Sequence, residues 1–105
     1  MAASSDSFRV VFSDAITRKL KAWASRVKTT QHRQGFADAL ETVYVRLANE
    51  PLSWGDPMYH VGQTELQMYR GMYWAFIVHY IVDEPRRLVF VRSFELSPAA
   101  PPGLA

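Results

Sequence analysis

The run MYRGMYWAFIVHYIVDEPRRLVFVRSFEL, residues 68–96, constrains the fold more than any other part of this chain. It is dense in aromatic and β-branched residues, which fit a pleated surface. Gly71 and the turn sequence DEPR punctuate it. The spacing predicts three strands, residues 66–70, 73–82 and 87–96, with Gly71 at or near a tight turn. Connections this short make neighbouring strands antiparallel. In the central strand both alternating sets are apolar: Trp74, Phe76, Val78, Tyr80 and Val82 on one side, Tyr73, Ala75, Ile77, His79 and Ile81 on the other. Helices can cover one face of such a sheet, so the other set must meet a loop, a partner chain or water. Strict alternation in the last strand puts Leu88, Phe90, Arg92, Phe94 and Leu96 together. Arg92 then interrupts an apolar row and needs an anion or a route to solvent, because burying it unpaired is costly.

Upstream, FRVVFS (residues 8–13) reads as a short strand. Ser13 or Asp14 can cap a helix expected over residues 14–28, in which Ile16, Leu20, Trp23, Ala24 and Val27 share a face. The polar TTQHRQG loosens or turns the chain before a second helix with the stripe Phe36, Leu40, Val43, Tyr44 and Leu47. That helix should stop before Pro51, whose ring disfavours helical geometry at Glu50. PLSWGDPMYHVGQ, with two prolines and two glycines in thirteen residues, reads as a loop. The expected fold is α+β: strand–helix–helix followed by a three-stranded antiparallel meander, the helical hairpin packed on one face of the sheet. A single domain over residues 8–97 is expected, with flexible tails at 1–7 and 98–105.

At 105 residues, 49% hydrophobic and 21% charged, the chain suits one folded core. Its net charge is only +2, yet residues 14–33 hold Arg18, Lys19, Lys21, Arg26, Lys28 and Arg33 against the single Asp14. That local excess reads either as a solvated helix face or as a surface for an acidic partner. The absence of cysteine excludes disulfides, thiolate catalysis and cysteine-based zinc sites. The opening MAASSDSF lacks a basic flank and an apolar core, and the longest apolar run is broken by His79 and ends at Asp83. These features lead to the expectation of a cytoplasmic protein without a membrane partner.

His32, His60 and His79 are dispersed and lack metal-ligand spacing, and neither a phosphate-binding glycine loop nor a serine-nucleophile motif occurs. No metal and no cofactor are expected. His79 has the chemistry of a general acid or base, or of an ordinary hydrogen-bonded sheet histidine. His60, beside Tyr59 in the expected loop, is a second candidate. Arg70 with Tyr69, and Arg92 between Phe90 and Phe94, bring cation and aromatic together, a pairing that binds phosphate and stacks bases. The alternative for both arginines is cation–π packing or an ion pair with Glu65, Glu84 or Glu95.

Taken in order, FRVVFSDAITRKLKAW, then LANEPLSWGDPMYHV, then LQMYRGMYWAFIVHYIVDEPRRLVFVRSFE resemble the RelE/ParE superfamily, the toxins of bacterial type II toxin–antitoxin pairs. NEPLSWG looks like the family's helix-ending turn, and HYIVDEPRRLVFV like its acidic turn leading into an apolar strand. The resemblance implies a cognate antitoxin as partner, bound as an acidic tail against Arg18, Lys19, Lys21, Arg26 and Lys28 across the helical hairpin or along a strand edge. It also implies a target, either messenger RNA at the ribosome or DNA gyrase. In the RNA-cleaving members the 2′-hydroxyl attacks the adjacent phosphate while cations offset the developing charge. Here that role falls to Arg70 and Arg92, with His79 or Tyr80 for proton transfer and Tyr69, Arg70, Arg92 and His60 for target contact. The family's usual catalytic cations fall near Phe76, Leu96 and Ser97, none of them basic, so a poor nuclease on free RNA is expected. A binding-only toxin of the ParE kind, or a relative that keeps only antitoxin binding, is the alternative.

Overall fold

In the computed structural model, which describes residues 7–27, 29–64, 66–98 and 100, the chain runs β1 (Arg9–Val11), α1 (Asp14–Arg26), α2 (Thr30–Asn49), α3 (Pro51–Trp54), β2 (Asp56–His60), β3 (Gln67–Tyr73), β4 (Phe76–Asp83) and β5 (Leu88–Leu96). Ser13 begins α1 by accepting a hydrogen bond from the Ile16 amide at 3.2 Å, satisfying one of the free donors of the first turn. Thr29 does the same for α2, accepting from the His32 amide at 3.0 Å. The polar TTQHRQ stretch is therefore the opening of α2 and not a break before it, because its cap outweighs its weak apolar pattern. Pro51, which ends α2, starts α3 in the one helical turn where its missing amide costs nothing.

The sheet has five strands in the order β1-β5-β4-β3-β2. β1 pairs parallel with β5, and the other pairs are antiparallel. The α+β class and the hairpin lying on one face are as expected. The fifth strand is not: DPMYH, expected in a loop, pairs along β3. It is an edge strand, so Pro57 is tolerated there, and a register shift between Pro57 and Tyr59 leaves Met58 as an extra residue.

The first turn of the meander also differs from the sequence reading. Gly71 lies inside β3, and the chain reverses at Trp74 and Ala75, since Tyr73 pairs with Phe76. Gly71 is needed for space: a Cβ there would stand 2.5 Å from the Trp54 ring, which packs over the strand. Trp74 turns the chain at φ 57°, a left-handed conformation unusual for an aromatic residue.

The helix-facing side of the sheet and the helices build the core. Ile16, Trp23, Val27, Phe36, Ala39, Val43 and Leu47 meet Tyr69, Phe76, Val78, Tyr80, Val82, Val89, Val91 and Phe94. Ala24, counted with the α1 stripe, is exposed instead. Ala100 packs against the core, and Ser97 donates its amide to the Ala75 carbonyl at 2.8 Å. Ala100 is thus docked on the core, while residues 1–6, 99 and 101–105 of the expected tails lie outside the described residues. No helix among the described residues is long and apolar enough to cross a membrane.

Candidate functional site

Pairing and pleat place Met68, Arg70, Met72, Ile77, His79, Ile81, Phe90, Ser93 and Glu95 on the sheet face away from the helices. Two cross-strand rows matter. Tyr59, Met68, Ile81, Phe90 and Val11 are successive partners, forming an apolar ribbon over all five strands. Asp56, Arg70, His79 and Ser93 form the polar row beside it.

His79 Nδ1 lies 2.9 Å from Ser93 Oγ. That contact orients the ring and leaves Nε2 as the nitrogen available to a target. Arg70, its neighbour on β3, is exposed and directs Nη2 toward the Met72 sulfur at 3.7 Å. Strict alternation fails at Arg92: Tyr80 pairs with Val91 and His79 with Ser93, so Arg92 is the extra residue of a β-bulge. It neither interrupts an apolar row nor shares a face with Phe94. The bulge turns Arg92 outward while Val91 and Phe94 both stay buried. Among the described residues neither Arg70 nor Arg92 forms an ion pair.

The structure brings Arg70, His79 and Arg92 to one face and removes the two tyrosines from it. Tyr80 is fully buried, donating to the Pro51 carbonyl at 2.7 Å and accepting from the Gly55 amide at 3.0 Å. Burial pushes its hydroxyl well above the ordinary 10.0, with Tyr69 and Asp56 adding to the shift and the Gly55 hydrogen bond opposing it. A proton held this tightly inside the core is unsuited to catalysis, so Tyr80 is structural. Tyr69, also expected to touch a target, is buried and stacked on Tyr80 with ring centroids 5.4 Å apart. Burial and the nearby Glu84 raise its hydroxyl too.

The sign of the Tyr80 shift sets a pH dependence. Below about pH 10 folded and unfolded chains both keep the proton; above it the unfolded chain loses it first, so stability falls by about 1.4 kcal/mol per pH unit per group. Tyr80→Phe is expected to flatten this alkaline limb in denaturation curves. It should also cost about 1–3 kcal/mol at neutral pH by leaving the Gly55 amide unpartnered.

His60 joins a different place. It pairs with Gln67 on the helix-facing side and helps to line a cleft of about 870 Å³ at the end of the sheet with Thr64, Asp83, Glu84, Arg86 and Arg87. Its charges are mixed, and Asp83 is already engaged by Arg86 at 3.5 Å.

The helical hairpin presents a second surface. A groove of about 590 Å³ runs between α1 and α2, lined by Phe12, Leu20, Ala24, Phe36, Leu40 and Tyr44, with Lys21 and Glu41 on it. Arg18, Lys21 and Arg26 are exposed on α1. Lys19 is also exposed but donates Nζ to the Phe94 carbonyl at 3.2 Å and lies 5.7 Å from the Trp23 ring, tying α1 to β5. Lys28 lies outside the described residues.

The sequence reading missed Ser93 and the groove. Ser93 becomes visible only once the bulge shifts the register by one. The groove had a signal, since Ala24 and Tyr44 widen the two apolar stripes beyond what one core-facing side needs. Phe76, near which the resembled nucleases carry a cation, faces the core with 1% exposure; the open-face residue beside it is Ile77, which is also uncharged.

No family model matches this sequence, and no curated protein matches it. Solved structures do. A chain of the archaeal RelE–RelB complex from Pyrococcus horikoshii OT3 superposes with a TM-score of 0.58 at 19% identity, covering 89% of this chain and 98% of that one. A chain of the toxin–antitoxin complex RelBE2 from Mycobacterium tuberculosis gives a TM-score of 0.62 at 17% identity, covering 86% and 98%. The fold is RelE-like.

Proposed function

We propose that this chain is the toxin-type member of a type II toxin–antitoxin pair, held by an acidic antitoxin on its helical hairpin and acting on its target by binding more than by cleavage. The pairing is supported by the RelE-like fold, shared with chains from RelE–RelB and RelBE2 complexes. The observation that carries it is the α1–α2 groove, apolar inside with Lys21 and Glu41 on it, beside a helix that also exposes Arg18 and Arg26. An amphipathic acidic segment can lay its apolar side in such a groove and set its carboxylates against the cations.

The emphasis on binding rests on the open face. Cleavage by the 2′-hydroxyl route needs donors around the phosphate as well as a proton carrier. His79, oriented by Ser93, can carry a proton, and Arg70 and Arg92 supply charge. Ile77, Leu96 and Ser97 supply none, and Tyr80 is locked in the core. General acid–base catalysis alone contributes about 10²–10⁴-fold. Messenger RNA at the ribosome and DNA gyrase are the candidate targets, and the face offers cations together with the exposed apolar side chains of Tyr59 and Val11 at its two edges.

The test is cleavage of a labelled messenger RNA with and without ribosomes, together with growth on expression. Growth arrest with little cleavage is expected. Robust cleavage abolished by both His79→Ala and Arg92→Ala would overturn the binding reading and restore an enzyme. Arg70→Ala and Arg92→Ala are further expected to change stability by less than about 0.5 kcal/mol, since both side chains are exposed, while weakening toxicity. A large drop in thermal midpoint would make these arginines structural.

A further inference from the structure

The open face of the sheet carries four exposed charged side chains, Asp56, Arg70, Arg92 and Glu95, that form no ion pair among the described residues. Two are acids and two are bases. Glu95 belongs to the row Met72–Ile77–Glu95, next to the polar row Asp56–Arg70–His79–Ser93. Arg70 leans out of its own row into that one, with Nη2 3.7 Å from the Met72 sulfur. The apolar part of the face is open in the same places: Met72 is 56% exposed, Tyr59 and Val11 are exposed at the two edges, and Ile77 and Phe90 are half-buried. Met68 and Ile81 are already buried within the single chain. Arg9, two residues before Val11, lies at the far end of the face.

The strand order β1-β5-β4-β3-β2 puts β4 in the middle, with two strands on either side. A two-fold axis running along β4, between two facing sheets, sets β5 of one copy over β3 of the other and β1 over β2. Positions along the strands are kept, so each cross-strand row falls on itself. Glu95 of the second copy then stands over Met72, where the Arg70 guanidinium already points. Arg92, turned outward by its bulge beside Ser93, falls on the Asp56–Arg70 row and can reach Asp56, while Arg70 is drawn the other way to Glu95. Ile77 meets its own copy on the axis, and Tyr59 comes over Val11.

We propose that a second copy of this chain covers the open face, the sheets packing face to face with reciprocal Arg70–Glu95 and Arg92–Asp56 pairs. Facing sheets pack nearly aligned and about 10 Å apart, a gap that an arginine and a carboxylate side chain span together. The interface is isologous, so each unpaired charge is met on both sides. A polyanion would meet Asp56 and Glu95 as well as the arginines, whereas a copy of the same face brings a complement for each. Pairing through the β2 edge is opposed by Pro57 and by the register shift after it. The dimer encloses His79 and Ser93, so self-association and target contact compete for one surface.

The experiment is sedimentation equilibrium of the full chain across a wide range of concentration. A reversible monomer–dimer equilibrium is expected. Arg70→Glu and Glu95→Arg each set like charges against each other twice, and each should weaken the dimer about a hundredfold or more. Mixing these two variants should restore dimers, because Glu at 70 in one chain then faces Arg at 95 in the other while the second pair is the natural one. Asp38→Arg, a charge reversal on the exposed side of α2, should change nothing. Thermal melts identify any variant that fails to fold, and recovery on mixing requires both to be folded. A monomeric wild type, a dimer indifferent to both single variants, or folded variants that stay monomeric when mixed would overturn the proposal. None of these outcomes bears on the antitoxin reading, which is tested by growth.

Discussion

Phe76→Arg is expected to unfold this protein, whereas Ile77→Arg, one residue along the same strand, is expected to leave it folded. Phe76 is 1% exposed and touches four aromatic rings, those of Trp23, Phe36, Trp74 and Phe94, with centroids 5.0–6.3 Å away. Truncating such a residue costs about 3–5 kcal/mol, and an unpaired buried charge adds its desolvation. A domain of this size has about 5–15 kcal/mol in total. Ile77 is only partly buried, on the open face, and pairs with Glu95 across the strand. An arginine there can reach water or that carboxylate, so a loss of about 1 kcal/mol is expected. Thermal denaturation followed by circular dichroism decides both. If cations are what the open face lacks for cleavage, Ile77→Arg should also raise RNA affinity; a folded Phe76→Arg would mean that the helix-facing side has been assigned wrongly.

A second large effect is expected on the hairpin. Ala24→Glu puts a carboxylate into the groove between α1 and α2, and Arg18→Glu with Lys21→Glu reverses the charge of the exposed α1 surface, of which Lys21 lines that groove. All three positions are on α1 and none is buried, so folding should be little affected. Partner affinity should fall about a hundredfold or more in each case, since apolar burial is lost in the first and like charges face each other in the second. Copurification with the product of the adjacent reading frame, at low and high salt, measures it. Retention of the partner by both variants would move the interface elsewhere, to the β2 edge first.

The order of elements was legible because periodicity is strong where burial is strong. The stripes Ile16–Leu20–Trp23 and Phe36–Val43–Leu47 and the alternation Phe76–Val78–Tyr80–Val82 all reach the core as read. What failed depended on contacts distant in sequence. Gly71 looks like a turn until Trp54, seventeen residues earlier, is packed over it. DPMYH looks like a loop because Pro57 weakens it as a strand, and only its position at a sheet edge makes the proline harmless. The site divided in the same way. Arg70 and His79 fall on one face by parity alone. Arg92 could not be placed without the bulge, and Tyr69 and Tyr80, aromatic and polar like a binding residue, are held inside by each other and by the Pro51 and Gly55 backbone.

If the chain is, as proposed, a toxin controlled by a partner, growth of cells expressing it alone and together with the product of its neighbouring reading frame reports this without intermediate steps. Arrest is expected when the chain is expressed alone, full growth on co-expression, and arrest again when co-expression is combined with Ala24→Glu. Unimpaired growth with the folded chain alone, or arrest that the neighbouring product does not relieve, would contradict it.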